Sequence, residues 1–283
     1  MDRNSEFKIQ QHPRVSPENS GSIPIAIGRT HEHMNLIIDI GNSSTKLYLF
    51  KGDEILWMER KDSIENSYID QLIQEKNVQH VIVSSVGEPS AAGLSKGREG
   101  WLEFNRTTAI PIKNLYESKE TLGLDRLAAA CGAWKIFPGK NILSIDMGTC
   151  ITYDFLNSKG EYLGGAISPG LQMRFKAMHT FTAKLPLIEA QDQMLEQHIG
   201  IPTNERLIGR NTLDSMRAGA IRGMLLEIKG FVESYQRNYP DLQCLVCGGD
   251  AVLLDTEHKN SIFVRTNLVA EGLNTILNYN VQK

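Results

Sequence analysis

Apolar residues in this chain fall into short blocks that end in an acid and a glycine. The block opening at Leu36 runs into Asp39-Ile40-Gly41-Asn42, then Thr45-Lys46 and a second apolar run to Phe50. Asn141–Leu156 repeats the grammar, with Ile142, Leu143 and Ile145, then Asp146-Met147-Gly148-Thr149, then Ile151 and Thr152 on to Asp154. Short apolar blocks bounded by turn residues predict strands, so each stretch reads as two strands joined by a tight polar turn. One copy in each half of the chain predicts two similar half-domains, residues 34–141 and 142–283.

The same reading carries along the chain. It predicts a third strand at Glu54–Arg60, a helix over Ser67–Lys76 with Tyr68, Leu72 and Ile73 on one face, and a buried strand at Val81–Val86. Gly87–Gly100 reads as loop or short helix, and Thr108–Ile112 as strand. A helix opens near Leu122 and runs to about Phe137. In the second half come a strand at Glu161–Leu163, a shaped glycine-rich loop at Gly164–Gly170 and a helix from Leu171 to about Met178. A loop at Thr180–Pro186 and a helix from about Thr212 to Tyr235 follow, the latter with a core stripe of Met216, Ala220, Met224, Ile228 and Phe231. Leu245–Cys247, Gly248-Gly249 and Asp250-Ala251 give strand, turn and helix start, and Leu268–Leu277 is the last helix. Residues 1–33 lack either periodicity and are rich in Ser, Pro, Asn, Gln and charge, as expected of a disordered leader or upstream extension, with Met34 an alternative start.

Composition narrows the function classes. A net charge of −3 over 283 residues gives no pull toward nucleic acid or an anionic membrane, and no apolar run approaches the roughly 20 residues that cross a bilayer. Four cysteines, Cys131, Cys150, Cys244 and Cys247, are too few for a disulfide framework and fit a cytoplasmic protein. Cys244 and Cys247 fall on a strand, where positions three apart face opposite ways, so they read as buried packing residues rather than a zinc or redox pair. There is no G-x-x-x-x-G-K-[ST], G-x-G-x-x-G, H-E-x-x-H or G-x-S-x-G, which disfavours P-loop, Rossmann, zinc-protease and hydrolase sites.

What remains is the repeated acidic turn. Glycine lets backbone approach an anion, the turn N–H groups and the Thr149 hydroxyl can donate, and a carboxylate at a strand end can hold a cation beside phosphates. Two such turns facing across a cleft would clasp one polyphosphate. Asp125 and Arg126 stand at a predicted helix mouth, where Asp125 reads either as a helix cap or, with Arg126, as a base and an anion clamp. Gly248-Gly249 could let a ring or phosphate lie on the backbone, or serve packing alone.

Six segments in order, DIGNSSTK (Asp39–Lys46), LGLDR (Leu122–Arg126), DMGTCITYD (Asp146–Asp154), YLGGAISPG (Tyr162–Gly170), TAKLP (Thr182–Pro186) and CGGDA (Cys247–Ala251), resemble those of type III pantothenate kinases. The resemblance implies an α/β fold of duplicated ribonuclease H-like halves, of actin/Hsp70/sugar kinase type, with mixed β-sheets flanked by helices around a central cleft. It also implies a homodimer that phosphorylates pantothenate with ATP in coenzyme A biosynthesis, using Mg²⁺ and a monovalent cation, K⁺ or NH₄⁺. By the same resemblance Asp39, Ile40, Gly41, Asn42, Ser43, Ser44, Thr45 and Lys46 form an ATP phosphate loop, joined by Thr149, Gly248 and Gly249. Asp125 is the proton acceptor, Tyr116, Gly123, Leu124, Arg126 and Thr182 contact pantothenate, Asp146 binds the monovalent cation, and Asp39 is a candidate Mg²⁺ ligand. Ser118-Lys119 stands where many members have Asn-Pro, and Cys150 where alanine is usual. Two alternatives stay open: a transcription accessory factor or sensor of this fold without catalysis, and a kinase for another small hydroxylated acid.

Overall fold

The computed structural model describes residues 33–41, 44–85, 94, 98–189, 207–254 and 262–282. Residues 1–32, Asn42, Ser43 and most of the Gly87–Gly100 segment, with the expectations that fall on them, lie outside the described residues.

The first sheet holds β1 (Met34–Ile40), β2 (Thr45–Lys51), β3 (Glu54–Lys61), β4 (His80–Ser85) and β5 (Trp101–Glu103), in the order β3-β2-β1-β4-β5. β1 runs antiparallel to β2, and β2 to β3, while β4 is parallel to both β1 and β5. The second sheet takes β7 (Ile142–Met147), β8 (Cys150–Leu156), β9 (Glu161–Pro169), β10 (Gln243–Cys247) and β11 (Ile262–Val264) in the order β9-β8-β7-β10-β11, with the same strand senses. A short β6 (Lys113–Asn114) extends its β9 edge. The repeated grammar of the sequence is thus a repeated topology, two ribonuclease H-like halves.

The central strands are unbroken apolar runs because both of their faces are covered. Leu36 and Ile38 of β1 pack with Ile69 and Leu72 of helix α1 (Asn66–Glu75). Ile37 joins the opposite face, a core shared with α2 (Leu124–Ile136) and α6 (Leu268–Val281). On β7, Leu143, Ile145 and Met147 pack in a separate cluster with Leu171 and Phe175 of α3 (Leu171–Thr180), Met216 of α4 (Thr212–Arg217) and Met224 of α5 (Gly223–Asn238). The core of α2 and α6 contains residues from the inner faces of both sheets, Ile37, Tyr48 and Ile82 with Ile142, Leu156 and Cys247. These two helices approach through small residues: a Cβ on Gly272 would lie 1.8 Å from the Ala128 carbonyl oxygen, and one on Gly132 2.7 Å from that of Leu268. The buried Asn35 side chain donates from β1 to Asn274 and Asn278 Oδ1 at 2.7 and 2.8 Å, and Asn274 donates to the Gly52 carbonyl at 2.8 Å, latching α6 to the first sheet.

Three expectations are corrected. Thr108–Ile112 is not a strand: Asn105 Oδ1 accepts from the Thr107 N–H at 2.9 Å, and Thr108 Oγ1 donates to the Glu103 carbonyl at 3.1 Å, so a side-chain-capped turn takes the backbone out of the sheet. Gly164–Gly170 is not a loop, because β9 continues to Pro169. A Cβ on Gly165 would meet the Tyr153 carbonyl oxygen at 1.5 Å, and Gly164 takes φ +104° against the Tyr116 ring at the β8–β9 register shift. These glycines let strands approach rather than loosening them. The helix expected over Thr212–Tyr235 contains a π-helical segment at Ala218–Arg222 between α4 and α5. Cys244 and Cys247 do face opposite ways, one in each core cluster, and burial pushes the Cys244 thiol up to about 12.

Candidate active site

Both acidic turns lie at the carboxyl ends of their central strands, the edge where open α/β sheets bind ligands. In the first hairpin Ile40 pairs with Thr45, and the Gly41 N–H donates to the Ser44 carbonyl at 3.0 Å, closing the turn. Asp39 is paired with Lys46 across the strands, so carboxylate and ammonium share one face. In the second, Asp146 pairs with Thr152 and the loop shrinks to Gly148-Thr149. Gly170 lies beneath that loop, where a Cβ would be 2.1 Å from the Gly148 carbonyl oxygen. β10 brings Gly248 beside Asp146: it takes φ +92°, and a Cβ there would meet Asp146 Oδ1 at 2.5 Å and the Met147 carbonyl oxygen at 2.3 Å. Gly249 opens the 3₁₀ turn that follows.

The third acid comes from α2. The residue at its N-cap is Gly123, in extended conformation and without a capping side chain, so the cap reading of Asp125 gives way. Asp125 sits in the first turn, half-buried, its Oδ1 accepting the Arg126 N–H at 2.9 Å. A Cβ on Gly123 would fall 2.4 Å from that oxygen, so glycine there makes room for the carboxylate.

Asp39 and Asp146 both sense Asp125. Burial pushes Asp39 up to about 6, Lys46 opposes the rise and Asp125 adds to it. Burial likewise pushes Asp146 up to about 6, with Asp125, Asp154 and Asp39 adding and Lys46 opposing. Acids from β1, β7 and α2 thus lie within electrostatic reach, with the exposed Lys46 beside them, although nothing in sequence spacing forces them together. Among the described residues no three His, Cys, Asp or Glu side chains form a ready metal cage. A hard cation held by one or two carboxylates and completed by phosphate oxygens matches this donor set.

Arg126 is placed differently from a free anion clamp. It is buried, and Nε and Nη2 both donate to Asp154 Oδ1, at 2.9 and 2.6 Å, while Tyr162 donates to the same oxygen at 2.6 Å. Burial works against its charge, but the hydrogen bonds and charge of Asp154 outweigh that and raise its pKa. Tyr116 lies beside this cluster, its ring centroid 5.8 Å from the guanidinium carbon and 6.1 Å from the Tyr162 ring. Leu124 packs partly buried against the core. Thr182 is exposed after α3 and donates to the Met178 carbonyl at 2.7 Å, with no hydrogen bond to the acids among the described residues. Lys119–Thr121 forms a 3₁₀ turn, which sets the loop shape at Ser118-Lys119.

Asp154 and Tyr162 were missed as functional neighbours. The available signal was alternation: Asp154 falls between Thr152 and Leu156 on the face of β8 that carries core residues, and a charge there requires a partner.

Two mixed sheets of matching topology, each with an acidic turn at the end of its central strand, define an α/β protein of duplicated ribonuclease H-like halves. The sequence profile of the type III pantothenate kinase family matches residues 35–234. A type III pantothenate kinase from Bacteroides fragilis (strain YCH46) is 41% identical over 250 residues, 87% of this chain and 98% of that protein. The chain belongs to the type III pantothenate kinase family. Another such kinase, from Cytophaga hutchinsonii, is 39% identical over 248 residues, 88% of this chain and all of that protein. Among solved structures, a Campylobacter jejuni Baf family protein described as a transcriptional activator is similar at TM-score 0.56 and 21% identity, over 88% of this chain and 100% of that one, a likeness of fold.

Proposed function

We infer that this chain transfers the γ-phosphoryl group of ATP to pantothenate, giving 4'-phosphopantothenate in the first step of coenzyme A biosynthesis. The observation that carries this reading is the acid–glycine turn repeated at the carboxyl end of each half's central strand, Asp39 on β1 and Asp146 on β7, in a chain that belongs to the type III pantothenate kinase family. The Asp39–Lys46 turn, with Ile40, Gly41, Asn42, Ser43, Ser44 and Thr45, receives the phosphates; Asn42 and Ser43 lie outside the described residues. Thr149 and Gly248-Gly249 face them from the second lobe. Asp125 orients the pantothenate hydroxyl and takes its proton. With Nε and Nη2 committed to Asp154 and Tyr116 also hydrogen-bonded to the guanidinium, Arg126 anchors the mouth of α2 beside pantothenate. Tyr116 and Thr182 complete the acceptor side.

Asp39 would hold Mg²⁺ and Asp146 a monovalent cation, K⁺ or NH₄⁺; such ions supply charge neutralisation of the phosphates. The pKa shifts fix the sign of a pH test. Both acids are raised from 3.8 to about 6, so the folded state holds these protons more tightly and stability falls as pH rises between those values. Above about 6 the penalty is fully present, and a cation relieves it. At constant ionic strength, Mg²⁺ is expected to raise the thermal unfolding midpoint more at pH 8 than at pH 5; equal shifts would reject cation binding by these acids.

A second copy of the chain covers β9 and the elements after it. Leu163, Ile167 and Phe181 are 46%, 60% and 85% exposed there, an apolar surface suited to a homodimer; a monomer in sedimentation would reject this. We place the protein in the cytoplasm: no described helix is long and apolar enough to cross a membrane, and the four cysteines are free. Incubation with ATP, Mg²⁺, K⁺ and pantothenate is expected to yield a product heavier by one phosphoryl group. Binding of both ligands without that product would favour a sensor, and a product only with other hydroxy acids would move the acceptor.

A further inference from the structure

The cross-strand row that begins at Asp39 extends one strand further. Asp39 of β1 is paired with Lys46 of β2, and Lys46 with Arg60 of β3. Residues directly opposite in antiparallel strands share a face, so a carboxylate and two cations stand in line beside the first turn. Arg60 is exposed, and its Nε donates to Ser44 Oγ, a turn side chain, at 2.8 Å. That bond aims the guanidinium at the turn and leaves both Nη groups uncommitted, with no carboxylate in ion-pair distance among the described residues.

The other half of the molecule serves as an internal control. Its corresponding row is Asp146, Thr152, Ile167. The acid recurs, while lysine becomes threonine and arginine becomes isoleucine. The hairpin architecture therefore requires neither cation, and the pair is an addition of the first lobe. A fixed guanidinium with two open donors beside a lysine matches the oxygens of a polyphosphate, which a planar fork can bind in pairs.

We propose that Arg60 is a phosphate-contacting residue of the nucleotide site, held by Ser44 and acting beside Lys46 on the ATP triphosphate. This rests on reading the Asp39–Lys46 turn as the phosphate loop, and the experiment separates the two. Dissociation constants for ATP, AMP and pantothenate are measured on the full chain, native, Arg60→Gln and Arg60→Lys. Loss of a charge-assisted bond predicts ATP binding weakened about tenfold to hundredfold in Arg60→Gln. Arg60→Lys should lie between, with AMP and pantothenate binding unchanged, a pattern that general structural damage would not give. Equal ATP affinity in native protein and Arg60→Gln, or equal loss for ATP and AMP, overturns the role of Arg60. No ATP binding by the native protein overturns the phosphate-loop reading itself.

Discussion

Asp125→Asn is expected to leave the fold intact and to lower kcat by about 10²–10⁴-fold, the usual range for a lost general base. The substitution costs the helix little, because the cap position belongs to Gly123 and an asparagine oxygen can still accept the Arg126 N–H. What it removes is basicity. A carboxylate does not strip a primary alcohol outright, the gap being on the order of ten pKa units or more. In the loose transition state of phosphoryl transfer the proton leaves late, as the bond to phosphorus forms, and a positioned acceptor is then needed. The same variant carries an independent signature. Asp125 raises both Asp39 and Asp146, so both should titrate below about 6 once its charge is gone. An active Asp125→Asn enzyme would reject the base, and unmoved titrations would place Asp125 beyond electrostatic reach of the other two acids.

Asp154→Ala is expected to cost about 3–5 kcal/mol, because it strands the Arg126 guanidinium in a buried site without its partner. Both side chains are nearly inaccessible, and the Tyr162 hydroxyl loses its acceptor as well. For a chain of this size the unfolding midpoint should drop on the order of 10 °C. Replacing both charges with apolar residues, Arg126→Met with Asp154→Leu, should recover much of that stability, since an apolar pair avoids the desolvation cost. Activity would not return with it, because Arg126 is also the residue next to Asp125, the proposed base. Wild-type stability in Asp154→Ala would show that the buried pair contributes nothing.

Most of the fold was legible because its signals are local. Leu36–Asp39 and Ile142–Asp146 each state a buried strand and its end within a few residues, and the duplication followed from comparing them. The Gly164-Gly165 pair misled, because closeness to the Tyr153 carbonyl and the Tyr116 ring is a tertiary fact, while sequence offers only glycine's reputation for turns. Thr108–Ile112 failed for the opposite reason: its composition suits a strand, but the Asn105 side chain captures the backbone first. At the site, Asp39 and Asp146 were readable from the repeat. Asp125 could be flagged but not assigned, since cap and base differ only in what faces the carboxylate. The engagement of Arg126 with Asp154, 28 positions away on another element, had no local signal beyond a charge on an apolar face.

The central claim is that three carboxylates from separate elements act on one nucleotide and one acceptor. A crystal structure of the protein with a non-hydrolysable ATP analogue, Mg²⁺ and pantothenate tests it most directly. The account predicts the γ-phosphate between the turns of Asp39 and Asp146, with the pantothenate hydroxyl within hydrogen-bond distance of Asp125. A triphosphate bound elsewhere, or a hydroxyl facing away from Asp125, would contradict it.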